Sequence, residues 1–274
     1  MNHILTDLST PALTRAITAN LLAFFDQMAR VPTADYYADE LIARWHTRIR
    51  HPWFNGAAAR QLPTDNYQPV IEATLAYFNA RGISPFTWWL SPMQPVEAWQ
   101  ARLAPFGFRL DRDTPGMAVP LSALPERVTA PDGLIITPVT DDAALRAWTH
   151  TFIIGYELPH TWEHDFYELM AGLGLDGPVR NYLGYLDGEA VATATLFTGA
   201  GVAGIFDVST VPAARGHGIG AALTLTPLLD ARARGYQAGV LQSSDMGFNV
   251  YRRLGFEKLC DMVHFYCCPD REPD

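Results

Sequence analysis

Apolar residues recur at helical spacing over residues 12–30, where Leu13, Ile17, Leu21, Phe24 and Met28 share one face. After a proline-containing break, residues 41–49 read as a strand with Trp45 and Ile49 on one side. Asn55-Gly56 reads as a turn. The spacing then predicts a helix over about 67–81, a strand over residues 86–90, and a helix opened by Val96, Trp99 and Leu103 that ends at Phe106-Gly107-Phe108. Residues 120–133 hold three prolines and few large apolar side chains, so they read as a linker. Beyond it come a strand over 134–138 and a helix through Leu145 and Trp148, capped at Asp141-Asp142. Helical periodicity fails between Gly155 and His164. Residues 181–186, 190–197 and 203–210 read as three antiparallel strands, the first two joined at Asp187-Gly188.

The third of these strands runs into Val211-Pro-Ala-Ala-Arg-Gly-His-Gly-Ile-Gly-Ala-Ala222. A helix follows, with Ile219, Ala222, Leu223 and Leu229 at helical spacing as far as Arg234. Gly216, Gly218 and Gly220 stand between strand and helix. Glycine lets a backbone approach a ligand closely, and the unpaired N–H groups of a helix's first turn form a cup for an anion. Arg215 is expected to add a positive charge beside it. Gly216, Gly218 and Ala221 also fit the dinucleotide fingerprint, with Asp245 near the place of its ribose-binding acid. That reading requires several further strands and helices, and too little chain follows Asp245 to supply them. A plain turn that lets strand and helix pack closely is the structural alternative.

Arg215, Gly218 and Gly220 fit the pattern [RQ]-x-x-G-x-[GA], which resembles the pyrophosphate loop of the GNAT acetyltransferase superfamily. The downstream sequence agrees. A strand over 239–244 precedes Met246-Gly-Phe-Asn-Val-Tyr-Arg-Arg-Leu-Gly-Phe256, which looks like that family's last helix ending in Y-x-x-L-G-F. The resemblance covers roughly residues 133–268. It implies acetyl-CoA as cosubstrate, held by Arg215, Gly216, His217, Gly218, Ile219, Gly220 and Ala221. His217 faces either a phosphate or solvent. The resemblance also implies backbone bonds from Val208 and Thr210 to the pantetheine arm, with Ser244 and Gly247 nearby. Ser244 stands where many members have Asn. The family's general acid maps onto Tyr251, a phenol suited to protonating a departing thiolate; the alternative is a half-buried packing tyrosine. Asp207, a carboxylate in an otherwise apolar strand, is either the general base or a group on a solvated face. Pro227 should kink the cofactor helix.

The first half resembles an eroded copy of the second. Ala80-Arg-Gly82 matches Ala233-Arg-Gly235, and Arg102-Leu-Ala-Pro-Phe-Gly-Phe108 echoes Arg253-Leu-Gly-Phe256. Aligned this way, Leu62-Pro-Thr-Asp-Asn-Tyr67 replaces the glycine loop and Gln100 replaces Tyr251. The expected fold class is therefore α/β (α+β): two GNAT-like domains, each a mixed, mostly antiparallel twisted sheet flanked by helices. Residues 1–122 would be the degenerate N-terminal domain, 123–132 the linker and 133–274 the acetyltransferase domain.

Bulk properties narrow the remaining choices. The 274 residues suit two domains, and 49% hydrophobic residues suffice for two cores. A net charge of -9 with no basic stripe argues against a nucleic-acid partner. No apolar run reaches membrane-spanning length, and residues 1–15 lack a secretory signal pattern. Cys260, Cys267 and Cys268 match neither a disulfide framework nor a zinc site, so no metal and a cytoplasmic location are expected. Tyr156, Glu157, His160, Trp162, Glu163 and Asp165 combine acids with aromatics, a composition suited to a cationic amine acceptor. A solvated connecting helix accounts for them equally. Trp88 and Trp89 read as core of the first half. The expected activity is acetyl transfer to a primary amine of a small molecule or peptide, directly in a ternary complex, with homodimerisation left open. A non-catalytic acyl-CoA sensor is the rival.

Overall fold

In the computed structural model, the described residues are 3–62, 65–90 and 94–267, without the side chains of 112 and 113. Cys268, and Pro63 and Thr64 of the segment aligned with the glycine loop, lie outside them.

A run of three strands, a helix, a strand, a helix and a strand occurs twice, the second time preceded by an added strand and two helices. Helix α1 (Thr10–Phe25) leads into β1 (Asp35–Ala38), β2 (Ile42–His46), β3 (Gly56–Ala59), α2 (Gln68–Asn79), β4 (Phe86–Leu90), α3 (Val96–Leu103) and β5 (Phe108–Pro120). Then β6 (Ile135–Pro138), α4 (Asp142–Gly155) and α5 (Glu163–Leu173) precede β7 (Val179–Leu186), β8 (Glu189–Gly199), β9 (Val202–Thr210), α6 (Ile219–Ala233), β10 (Ala238–Gln242), α7 (Asp245–Arg253) and β11 (Glu257–Cys267). In each series three antiparallel strands are followed by a helix, a parallel strand, a second helix and a closing strand. The closing strands are exchanged: β5 pairs antiparallel with β10, and β11 with β4. The result is a mixed, mostly antiparallel architecture flanked by helices, as the sequence led us to expect.

The exchange decides the division of the chain. One compact unit lies within Met1–Phe24 and Pro115–Cys260, the other within Phe25–Thr114 and Asp261–Asp274. Boundaries drawn at 123–132 do not coincide with these, because strand pairing and packing, rather than continuity of the chain, hold each unit together. Helix α1 illustrates this. Its Asn20 Nδ2 donates to Gly199 O at 2.9 Å, and Phe24 stacks on Phe206 at 4.2 Å, so it belongs with β8 and β9.

Asn55-Gly56 is not a turn but the entry to β3. The Asn55 side chain is buried, accepting from Thr47 N and donating to Ile49 O, both at 2.8 Å. Gly56 leaves room for Trp45, since a Cβ there would stand 2.7 Å from the indole. In this unit Trp88, Trp99, Phe78 and Phe86 form the buried centre, while Trp89 is only partly buried. In the other, Leu196, Ile205, Leu223, Leu228 and Leu241 join α6 to its sheet. Pro227 lies within α6, which continues to Ala233. Asp141 caps α4 by accepting from Ala144 N at 2.8 Å, as its position predicts. Among the described residues no helix is long and apolar enough to cross a membrane.

Candidate active site

The site is built where β9 leaves β10. These strands pair in parallel only from Ala203 to Ile205, so the following residues of β9 have no registered partner on that side. A bulge directs the departure. Thr193 faces Ser209 and Thr195 faces Phe206, which sets Ala194 against both Asp207 and Val208. Asp207 takes the left-handed conformation (φ 54°), one that Asp and Asn tolerate better than other side chains. Buried Thr193 pins the bulge, its Oγ1 lying 2.8 Å from Asp207 O and 2.7 Å from Ser209 Oγ.

Beyond the bulge the chain makes a short turn and enters α6. Gly216 and Gly218 have φ of 84° and 82°, which turn the backbone into the helix at little cost only for glycine. Gly218 is the N-cap and supplies no side-chain cap, so first-turn N–H groups remain available to an anion. A cavity of about 1190 Å³ opens over this turn. Its lining contains Val208, Thr210, Arg215 to Ala221, Ser244, Gly247 and Tyr251, and therefore brings together every residue the sequence assigned to the cofactor, together with Tyr251. Asp207 is not in the lining, although its neighbour in sequence, Val208, is. Arg127, Arg215, His217 and Arg253 line the cavity, and among the described residues no aspartate or glutamate does, although the chain carries a net charge of -9. The wall facing the turn is segment 125–131, which sequence reasoning treated only as linker. Its contact with the glycine loop spans some ninety residues of chain, so no local pattern reveals it.

Several of these residues also have partners within the protein. Arg215 does not present an open charge to the cup. Its Nε donates to Thr210 O at 3.0 Å, Nη2 to Gly155 O at 2.8 Å, and both Nη atoms to Glu157 at 3.2 Å. It braces the end of α4 against the end of β9. Arg215→Met should therefore lower the stability measured by urea unfolding by about 1–3 kcal/mol, mainly through the two lost carbonyl bonds. An unchanged midpoint would contradict the brace.

Ser244 is the N-cap of α7, accepting from Gly247 N at 3.3 Å. Gly247 is glycine because the ring of Tyr251 occupies its side-chain space, with a Cβ there only 2.6 Å from Cε2. Gly218 has a second constraint, since a Cβ would meet Thr129 O at 2.2 Å. Gly220 differs from both: its φ is ordinary, and the nearest neighbour of a Cβ would be Thr210 Oγ1 at 3.7 Å.

Burial tunes the titratable groups. Asp207 is pushed up to about 6, with the Thr195 hydroxyl opposing part of the rise. Burial pushes Tyr251 up to about 12. Tyr156 is raised well above its usual value by burial, then by the charges of Asp207 and Tyr251, and its hydroxyl donates to Val208 O at 3.2 Å. Tyr156 thus senses the charges of both Asp207 and Tyr251. None of the acidic and aromatic residues of 156–165, Tyr156 included, is in the cavity's lining. Glu157 is held by Arg215, and Glu163 lies 3.0 Å from His150 and 3.7 Å from His160. One ligand atom from each of these last three falls within 4.8 Å of the others, a spacing that would also suit a metal ion.

Residues 143–256 match the family model described as the acetyltransferase (GNAT) family. They form a GNAT domain. No curated protein matches the chain by sequence. Among solved structures, the chain resembles a GCN5-related N-acetyltransferase from Kribbella flavida, with TM-score 0.70 and 20% identity over 94% of this chain and 96% of that one. A GCN5-related N-acetyltransferase from Sphaerobacter thermophilus gives TM-score 0.63 at 16% identity, covering 99% and 96%. A tandem GNAT protein from the clavulanic acid biosynthesis pathway, in a structure without AcCoA, gives 0.58 at 14% identity, covering 99% of each chain. At these identities the likeness concerns the fold. It extends over both repeats, whereas the family model covers only the second.

Proposed function

We propose that this protein is an acetyl-CoA-dependent N-acetyltransferase acting on a primary amine by direct transfer in a ternary complex. One observation carries the reading: a single cavity joins an uncapped helix N-terminus, the stretch of β9 unpaired on its β10 side and the Tyr251 phenol, with no carboxylate in its lining among the described residues. A thioester cosubstrate supplies the activated acetyl group. The N–H groups around Gly218 to Ala221 suit its diphosphate, and Gly216, where a Cβ would have no neighbour within 4 Å, leaves open space beside them. The stretch Val208 to Thr210 can hold an amide-bearing arm by strand-like bonds. Asp207, ionised above about pH 6, takes the proton an ammonium must lose, directly or through water. Tyr251 remains protonated up to about pH 12 and hands a proton to the departing sulfur. The test is release of free CoA thiol across small amines, aminoglycosides, amino acids and peptide N-termini. Turnover with at least one amine supports the proposal, and binding without turnover on the whole panel favours a sensor.

The first repeat is a degenerate copy in this reading. Helix α2 begins after Tyr67 without a glycine cup, and Gln100 on α3 is exposed where the second repeat buries Tyr251. Calorimetry should give one CoA site per chain; two equivalent sites would refute the degenerate copy.

A further inference from the structure

The segment between the repeats is not a passive tether. Its residues 125–131 form a wall of the cavity, and the Thr129 carbonyl packs directly over Gly218. The segment is fastened along its first half. Leu124 is buried, and Val128 packs against the same core. Next to it, the Glu126 carboxylate accepts from Arg232 Nη2 at 2.9 and 3.0 Å, and Arg232 Nη1 donates to Leu121 O at 3.4 Å. Pro125 and Pro131 further restrict the backbone between them.

Charge then separates along the wall. The pair with Arg232 engages Glu126, whereas Arg127 is exposed, lines the cavity and forms no ion pair among the described residues. Arg253 lines the same cavity and donates its Nε to Asn249 O at 3.1 Å, while its two Nη groups form no hydrogen bond or ion pair among the described residues. Arg215 is committed to Glu157 and two carbonyls. An anion beyond the reach of the backbone cup would therefore meet Arg127 and Arg253. Coenzyme A carries such a group, a phosphate on the ribose 3′ oxygen, separate from the diphosphate the cup accommodates. A guanidinium can bind phosphate with two parallel N–H bonds.

We propose that segment 125–131 is a clasp that selects CoA through its 3′-phosphate, with Arg127 as the principal phosphate ligand and Arg253 as the second. This rests on the reading of the cavity as a CoA site. Removing the 3′-phosphate, as in dephospho-CoA, leaves the diphosphate and pantetheine unchanged and isolates the clasp. Calorimetric Kd values for CoA and dephospho-CoA are measured on the full chain, on Arg127→Gln and on Arg253→Gln. Wild type is expected to prefer CoA by about tenfold or more, the scale of one charge-assisted bond. Arg127→Gln should weaken CoA alone and bring that preference close to one. Glu126→Gln, which loosens the clasp without touching its cation, should fall between. Equal binding of the two ligands by wild type would overturn the clasp while leaving the CoA site intact. A preference that survives Arg127→Gln but vanishes in Arg253→Gln would overturn it too, by placing the phosphate elsewhere. Failure of wild type to bind either ligand would instead refute the cavity assignment, and the clasp with it.

Discussion

Tyr251→Phe should lower kcat by about 10²–10⁴-fold while leaving the Kd of acetyl-CoA nearly unchanged. The ring lies over Gly247, is 9% exposed and meets Phe256 edge-on at 6.0 Å, and Phe preserves each of these contacts. Only the proton is lost, and its contribution is to the transition state. Stability should shift by about 1 kcal/mol or less, the cost of one hydroxyl. Because burial holds Tyr251 near 12, the rate of the native enzyme should show no alkaline limb from this residue below about pH 11. The measurement is kcat and Kd for both proteins with the amine that turns over fastest, under conditions where chemistry limits the rate. An unchanged kcat would remove Tyr251 from the mechanism.

Asp207→Asn should slow the enzyme and stabilise it. The folded carboxyl titrates at about 6, above its ordinary value of 3.8. A group raised in this way contributes stability that is fully present below the unfolded value and is lost as pH rises through the folded one. Near neutrality the ionised carboxylate thus costs about 3 kcal/mol, from about 1.4 kcal/mol per unit of displacement. Asn keeps the left-handed backbone at φ 54° and the shape of the side chain without the charge. The variant's advantage in urea unfolding should be near zero at pH 4, grow between pH 4 and 6, and level off above 7 at up to about 3 kcal/mol. Over the same range kcat/KM of wild type should fall with acidity at an apparent pKa of about 6, a limb the variant lacks. The variant's rate should be lower by about 10²–10⁴-fold if Asp207 is the base. A variant as active as wild type would leave Asp207 a structural acid on a bulge.

Local chemistry made the second repeat legible. The glycine loop, the hairpin at Asp187-Gly188 and the last helix each declare themselves within a dozen residues, and all appear where expected. Strand β3 did not, because Gly56-Ala-Ala-Ala59 is buried throughout and shows no alternation of polar and apolar positions. The exchange of β5 and β11 was also invisible, since pairing partners lie over a hundred residues apart and nothing in a strand's own sequence names its partner. At the site, residue identities could be read but not their partners. Arg215 was identified as a cation, yet its three acceptors on α4, β9 and Glu157 are set by tertiary packing. The Thr129 carbonyl over Gly218 is likewise a fact of backbone placement, which side-chain chemistry does not encode.

The central claim is that the glycine turn before α6 holds the diphosphate of acetyl-CoA, and Gly220 gives the cleanest access to it. Gly218 is unsuitable because a side chain there would strike Thr129 with or without a ligand. At Gly220 the conformation is ordinary and the space is open, so Gly220→Glu should fold. A carboxylate in the first turn should stabilise α6 by about 0.3–1 kcal/mol. The same charge beside a diphosphate is repulsive by several kcal/mol, about 4 at 4 Å in a partly screened site. The deciding measurement is calorimetric titration of acetyl-CoA into wild type and Gly220→Glu, with thermal unfolding of both. One site per chain in wild type, and affinity at least a hundredfold weaker in a variant whose Tm is equal or higher, is the predicted result. A Gly220→Glu protein that binds acetyl-CoA as tightly as wild type would contradict it.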